Sequence, residues 1–296
     1  GWSVSTFVLQ NDGSTGLSSS AATMTMGDMG TVGVSKGGGF NVNGGYDETY
    51  PRAYEENSDA GGQSSLNNIG HWADDNAIIY KAPAIDLMGA TVSIGIEHSL
   101  QAGTATGADG VAPARSDTYG KGTGLGVTVA YEGLTLGAYG AERENTTPNA
   151  STGQQISDEF NGAWYAKYSF GPVSVGYQTG GVDLGKATAA GGTPTAATAA
   201  KTLATAAGDF EFEKMSIAFN VNENLSLSWG ELEETYDAQA MGTDIADVEM
   251  SSTSIQFAYT MGSMSIKGYQ TDTDNPGWDS NAKSDEVTEL AINFAF

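Results

Sequence analysis

Apolar residues recur at every second position along this chain, and the positions between them are filled mostly by small or uncharged polar residues. In the last such run Leu290, Ile292, Phe294 and Phe296 share one face, opposite Glu289, Ala291, Asn293 and Ala295. Phe160, Trp164, Tyr168 and Phe170 oppose Asn161, Ala163 and Lys167; Met215, Ile217, Phe219 and Val221 oppose Lys214, Ser216, Ala218 and Asn220. Leu225, Leu227 and Trp229, and then Ile255, Phe257, Tyr259 and Met261, repeat the division. A period of two is the period of a β-strand, and almost nowhere does a helical period persist for three turns. The class is all-β. A soluble sandwich turns its apolar face inward and carries charge outside, whereas here the polar face is small and uncharged, which suits a barrel with lipid outside and water inside.

The connections between runs point the same way. Tight turns are expected at 24–31, 131–134, 170–173, 221–225 and 261–264, and long polar connections at 11–20, 37–75, 99–122, 143–157, 180–208, 233–247 and 271–285. Short and long alternate throughout, as in an up-and-down antiparallel transmembrane barrel with short periplasmic turns and longer external loops. About fourteen strands are found this way, in a single domain spanning 1–296. The Ala-, Thr- and Gly-rich tract at 180–208 reads as an external loop, not a linker between domains.

Composition removes several function classes. A net charge of -24 with only 12 Lys and Arg excludes binding nucleic acid through a basic face. No cysteine is present, so disulfide frameworks, thiolate zinc sites and cysteine nucleophiles are excluded. No apolar run is long enough for a transmembrane helix, which says nothing about a membrane barrel. The chain opens without a basic start and apolar core, so for an exported protein this sequence is expected to be the processed form.

The segment 26–81 is the organising stretch. Two short alternating runs, 30–36 and 76–81, flank a polar segment at 37–75 that carries seven carboxylates, Asp47, Glu48, Glu55, Glu56, Asp59, Asp74 and Asp75, against Arg52 alone. A loop this long inside a compact domain is functional or disordered. Phe40, Tyr46, Tyr50, Tyr54 and Trp72 argue for order, because disordered segments are poor in aromatics.

The motifs GDMGTVGVSK at 27–36 and DNAIIY at 75–80, with the terminal Phe296, resemble the trimeric general porins of Gram-negative bacteria, in particular the small porins of alphaproteobacteria. The resemblance implies a homotrimer in the bacterial outer membrane, surrounded by lipid and lipopolysaccharide, and 37–75 as the loop that folds into the barrel and narrows the pore. It implies recognition of Phe296 by the barrel-insertion machinery, and it makes Lys36 a basic position at the loop entrance. It also implies sixteen strands, with the strand feeding the constriction loop as the fifth. Only two are found before it, so N-terminal strands are expected to be missing from the sequence.

A water-filled pore is no enzyme and needs no cofactor; it excludes by size and biases by field. An acidic loop inside a low-dielectric wall raises the local cation concentration, so passive diffusion with cation preference is expected. Lys167, Lys214 and Lys267 fall on polar faces and are candidate pore-wall charges. Asp272 and Asp274 imitate the start of a calcium loop, although Pro276 stands where a ligand is needed. His71 and His98 have no ligand constellation and read as structural. No Gly-x-Ser-x-Gly elbow occurs. Two other readings compete: a substrate-specific channel, hinted at by Tyr165 and Tyr269 on polar faces, and a secreted or surface-layer β-protein with a dry interior. The latter would bury Gln178, Asn220, Gln256 and Asn293, each at a cost of about 1–3 kcal/mol if unpaired.

Overall fold

The computed structural model describes residues 1–10, 17–36, 39–57, 69–74, 77–100, 119–145, 158–183, 208–238 and 247–295. Three strands precede the long acidic segment: β1 (Ser3–Gln10), β2 (Leu17–Thr25) and β3 (Thr31–Lys36). After it come β4 (Ala77–Lys81), the three-residue β5 (Ile85–Leu87), β6 (Ala90–Ser99), β7 (Tyr119–Tyr131), β8 (Leu134–Asn145) and β9 (Glu159–Phe170). The sheet continues through β10 (Val173–Asp183), β11 (Gly208–Asn220), β12 (Leu225–Ala238), β13 (Val248–Met261), β14 (Met264–Asp274) and β15 (Asp285–Phe294). Among the described residues the only helical segments are short 3-10 turns.

Each strand pairs antiparallel with its neighbour in sequence, in the order β1-β2-β3-β4-β6 and onward to β15, with β5 added beside β6. Among the described residues the path therefore holds fourteen strands, the number the alternation gives and two fewer than the porin resemblance implies. The described sheet is open between β1 and β15.

The tight turns form where expected, and their chemistry is local. Glu132, Gly171 and Gly262 begin two-residue hairpins at positive φ, the backbone that matches strand twist. These turns mark one end of the sheet; the long connections mark the other.

The two faces differ sharply. Ile78, Ile96, Leu125, Leu136, Trp164, Tyr168, Ile217, Leu227, Ile255 and Ile292 are large apolar residues left exposed on one face. The alternate residues of the same strands line the other face, around which the sheet curls. Toward the long-connection end that inner face is buried and carries a cluster containing Phe210, Phe212, Leu232, Tyr236, Val248 and Met250. The alternation predicts an inner face that is small and polar throughout; it is so only toward the tight turns. Above them the hydrophobic alternation changes phase, and β10, β12 and β14 continue to Asp183, Ala238 and Asp274, through stretches that read as loop in the sequence.

Candidate functional site

Residues 39–57 run along the inner face, and polar side chains of successive strands take up their backbone groups. The Phe40 amide donates to Ser35 Oγ on β3 at 2.9 Å. The Val42 amide donates to Glu97 Oε2 on β6 at 2.7 Å, while the Tyr139 hydroxyl on β8 donates to Glu97 Oε1 at 2.6 Å. Gln178 on β10 is used at both ends of its amide: its Oε1 accepts from the Thr49 amide at 2.8 Å and its Nε2 donates to the Tyr46 carbonyl. Farther along, Ser228 Oγ on β12 accepts from the Ala53 amide at 2.9 Å. Gln256 on β13 accepts from the Tyr54 amide at 3.0 Å and donates to the Glu55 carbonyl at 2.7 Å. Finally the Tyr54 hydroxyl reaches Glu289 Oε1 on β15 at 2.8 Å. Beyond residue 68 the segment returns, with the Gly70 amide donating to Asn161 Oδ1 on β9 at 3.3 Å. Irregular backbone at this depth is satisfied by the wall it lies against, as a buried loop must be.

Packing supplements the hydrogen bonds. The inner faces of β6 and β7 are floored by Gly95, Gly122, Gly124 and Gly126. A Cβ on Gly126 would collide with the Tyr46 ring, and one on Gly122 would lie 2.6 Å from Trp72 Cζ3. The absence of side chains here lets Tyr46 lie flat on the wall, 5.4 Å from the Tyr139 ring and stacked on it, with its hydroxyl 3.1 Å from Thr128 Oγ1.

One ion pair lies at the centre of the contact. Lys214 Nζ on β11 donates to Glu48 Oε1 at 2.8 Å, with the two side chains 2% and 0% exposed. The Tyr50 hydroxyl is 3.4 Å from the same carboxylate oxygen and accepts the Asn57 amide at 2.8 Å. Arg52 donates to the Glu48 carbonyl at 2.9 Å and forms an ion pair with Glu56. Burial, and the neighbouring Glu48 carboxylate after it, push the Glu56 carboxyl up to about 7, against the opposing pull of Arg52. Burial likewise raises the Tyr50 phenol, and the hydrogen bond to Glu289 raises Tyr54 to about 12.

The sequence-predicted residues separate into groups. Asp47, Glu48, Arg52, Glu55 and Glu56 come together on the inner segment. Lys214, expected as a water-facing wall charge, is instead buried beneath that segment as the partner of Glu48. Lys267 does face inward, its ammonium 5.2 Å from the Tyr54 ring centre, and Lys167 stands 5.6 Å from that of Tyr165. Lys36 does not join them: Ser35 points to the loop, so Lys36 shares the outward side with Val34. Asp74 ends the 3-10 turn His71–Asp74, while Asp59 and Asp75 lie outside the described residues. His98 is outward and within 2.9 Å of Thr123 Oγ1. Asp272 and Asp274 are alternate residues of β14, about 7 Å apart along a strand and not on a turn that could wrap an ion. Among the described residues no group of three or more candidate ligands converges. Glu97, Ser228, Gln256 and Glu289 hold the segment without being legible as site residues in the sequence. Their only signal is a polar residue at an inward position of a strand.

A porin refined at 1.8 Å resolution superposes with a TM-score of 0.56 at 14% identity, covering 99% of this chain and 91% of its own. The fold is that of a porin barrel. A Salmonella typhi OmpF in complex with daunomycin gives 0.53 at 12% identity over 99% of this chain and 95% of its own. The outer-membrane channel DcaP of Acinetobacter baumannii gives 0.50 at 12% over 100% and 98%. No protein-family model and no curated protein matches the sequence.

Proposed function

We propose that the chain is an outer-membrane porin: a non-enzymatic, water-filled channel for ions and small hydrophilic solutes, narrowed by the inner segment and preferring cations. The observation that carries this reading is the clamping of residues 39–57 to the inner wall from β3 to β15 while, toward the tight turns, the opposite face of the same strands is apolar and exposed. A surface-layer protein with a dry interior would have no use for an apolar exterior of this extent. Assembly as a homotrimer, a surround of lipid and lipopolysaccharide, and an insertion signal at Phe296, which lies outside the described residues, belong to the same reading.

The field follows from which carboxylates are already balanced. Glu48 is neutralised by Lys214 and Glu56 is paired with Arg52, so Glu55 contributes more to the negative potential at the narrowing than either of them. Neutralising it as Glu55→Gln is expected to lower the cation-to-anion permeability ratio about two-fold. Reversal potentials of single channels in a salt gradient measure this; anion preference in the unaltered protein would overturn the assignment.

Glu56 adds a pH dependence. With its carboxyl held up to about 7, it is mostly neutral at pH 5.5 and charged at pH 8.5. Cation selectivity is therefore expected to rise as pH passes upward through about 7, and Glu56→Gln should abolish that step. Because the folded value is raised above the ordinary 4.5, the folded state binds this proton more tightly than the unfolded chain does. Its contribution to stability is thus present at low pH and lost between about 4.5 and 7. Selectivity titrations of the two proteins, side by side, check the sign.

A further inference from the structure

The outward faces of β10–β14 change character part-way up. Counting from the tight-turn end, β11 presents Phe219, Ile217 and Met215 to the exterior and then Glu213 and Glu211; β12 presents Leu225, Leu227 and Trp229 and then Glu231 and Glu233. On β13 Phe257 and Ile255 give way to Thr253, Ser251 and Glu249, and on β14 Ile266 gives way to Gln270, Asp272 and Asp274. At the same level the inner face gains large buried apolar residues, Phe210, Phe212, Leu232, Tyr236 and Met250, beside the buried Glu234, Ser252 and Thr271. Trp278, in the 3-10 turn Pro276–Trp278, folds its ring against Phe210 at 5.1 Å. Charge appears on the outer face where apolar bulk appears on the inner one.

This arrangement has a physical meaning. A strand with an apolar exterior faces hydrocarbon, whereas one with a charged exterior and an apolar interior is built as in a water-soluble sheet. Among the described residues the outward charges of these strand halves are all carboxylates, since Lys214 and Lys267 face inward. Glu213 stands directly across from Glu233 in the register. Like charges so placed repel even in water and would be far costlier in acyl chains. The Tyr177 hydroxyl, donating to Glu213 Oε1 at 2.9 Å, joins the last apolar row to the first charged one, the amphipathic position that tyrosine favours at a membrane surface.

The geometry points to an outer hydrocarbon boundary that crosses β11–β13 just above Met215, Trp229 and Ile255, leaving the upper halves of β10–β14 as an acidic surface that contacts water and hydrated lipid headgroups, not acyl chains. The boundary is uneven around the wall. From Val221, just past the end of β11, to Met215 the apolar rows span roughly 16 Å for strands tilted by about 40°, whereas on β9 the rows from Phe170 to Phe160 span roughly 26 Å. Trp164 on β9, six residues above its turn, therefore faces lipid, while Glu213, at a similar distance above its own turn, faces water. This rests on the chain being a membrane barrel, but not on its conducting.

The absence of native cysteine allows a direct test. Single variants Glu213→Cys, Glu233→Cys, Ile217→Cys, Leu227→Cys and Trp164→Cys would carry a nitroxide label in phosphatidylglycerol and phosphatidylethanolamine vesicles. Collision with dissolved oxygen reports lipid, and collision with a water-soluble nickel chelate reports water. The expected result is a reversal of the oxygen-to-nickel ratio between Ile217 and Glu213, repeated between Leu227 and Glu233, with Trp164 on the oxygen side. Two independent pairs guard against one variant failing to fold. Oxygen dominance at 213 and 233 would overturn the proposed boundary alone. Nickel dominance at every position would overturn it together with the membrane reading.

Discussion

Replacing Lys214 with Met is expected to destabilise the protein by about 3–5 kcal/mol, the largest effect of any single substitution in the site. Methionine keeps the length and flexibility of the stem, so the change removes the ammonium and little packing. It removes the cation from beside the Glu48 carboxylate, whose side chain is fully buried and whose Oε1 accepts from Lys214 Nζ at 2.8 Å. Removing one partner of a buried pair leaves an uncompensated charge in a poorly hydrated place, which costs much more than the intact pair contributes. Two measurements check this: the midpoint of guanidinium unfolding in detergent, and the open-channel current, which should become noisy as 39–57 loosens from β11. The double variant Lys214→Met with Glu48→Gln should recover most of the stability, because no charge is then left behind. If the double variant is as unstable as the single one, the loss is one of packing and the ion pair is not the anchor.

Gly126→Val should displace the inner segment outright. Two methyls and a Cβ cannot be placed where the Tyr46 ring lies, and the wall behind is a paired strand that does not yield. Overpacking of this kind costs about 1–3 kcal/mol, to which the Tyr46 stack on Tyr139 and the contact with Thr128 are added. The expected channel has a smaller conductance and excludes sugars that the unaltered one admits, because the segment is pushed off its floor toward the lumen. Gly140→Ala is the matching control: its Cβ would point outward, 3.5 Å from the Phe160 ring, an ordinary contact, and conductance should not change. Planar-bilayer recording with graded sugars separates the two. A Gly126→Val channel with unaltered sugar exclusion would mean that 39–57 does not set the pore width.

Much of the architecture is legible in the sequence because its causes are local. Alternation at 160–170, 215–221 and 255–261 reports a strand with one lipid-facing side wherever that side is continuously apolar, and two-residue turns announce themselves by Gly and Pro. The ends of the strands are not legible. At Phe210, Phe212, Leu232, Tyr236 and Met250 the apolar residues sit on the other face, so a period-two reading continued from below finds charge where it expects grease and ends the strand too soon. Such a change of phase is set by where the surrounding medium changes, which is not a property of any short window of residues.

The site divides in the same way. An acidic, aromatic-rich segment between two strands reads as ordered and functional from its length and residues alone. Which of its carboxylates act on a solute does not, because charge in a sequence carries no partner. Glu48 and Glu55 look alike in the chain, yet one of them is neutralised by a lysine 166 positions away. Lys36 and Lys214 both read as pore charges; register and the bulk of the loop put the first outside and the second beneath Glu48. The pattern of the chain by itself determined a sheet with two unlike faces and a long ordered connection, since these depend on spacing and composition. Tertiary structure decided the pairing of charges, the glycine floor and the level at which the wall turns from oily to acidic, since each depends on residues brought together from strands far apart in the chain.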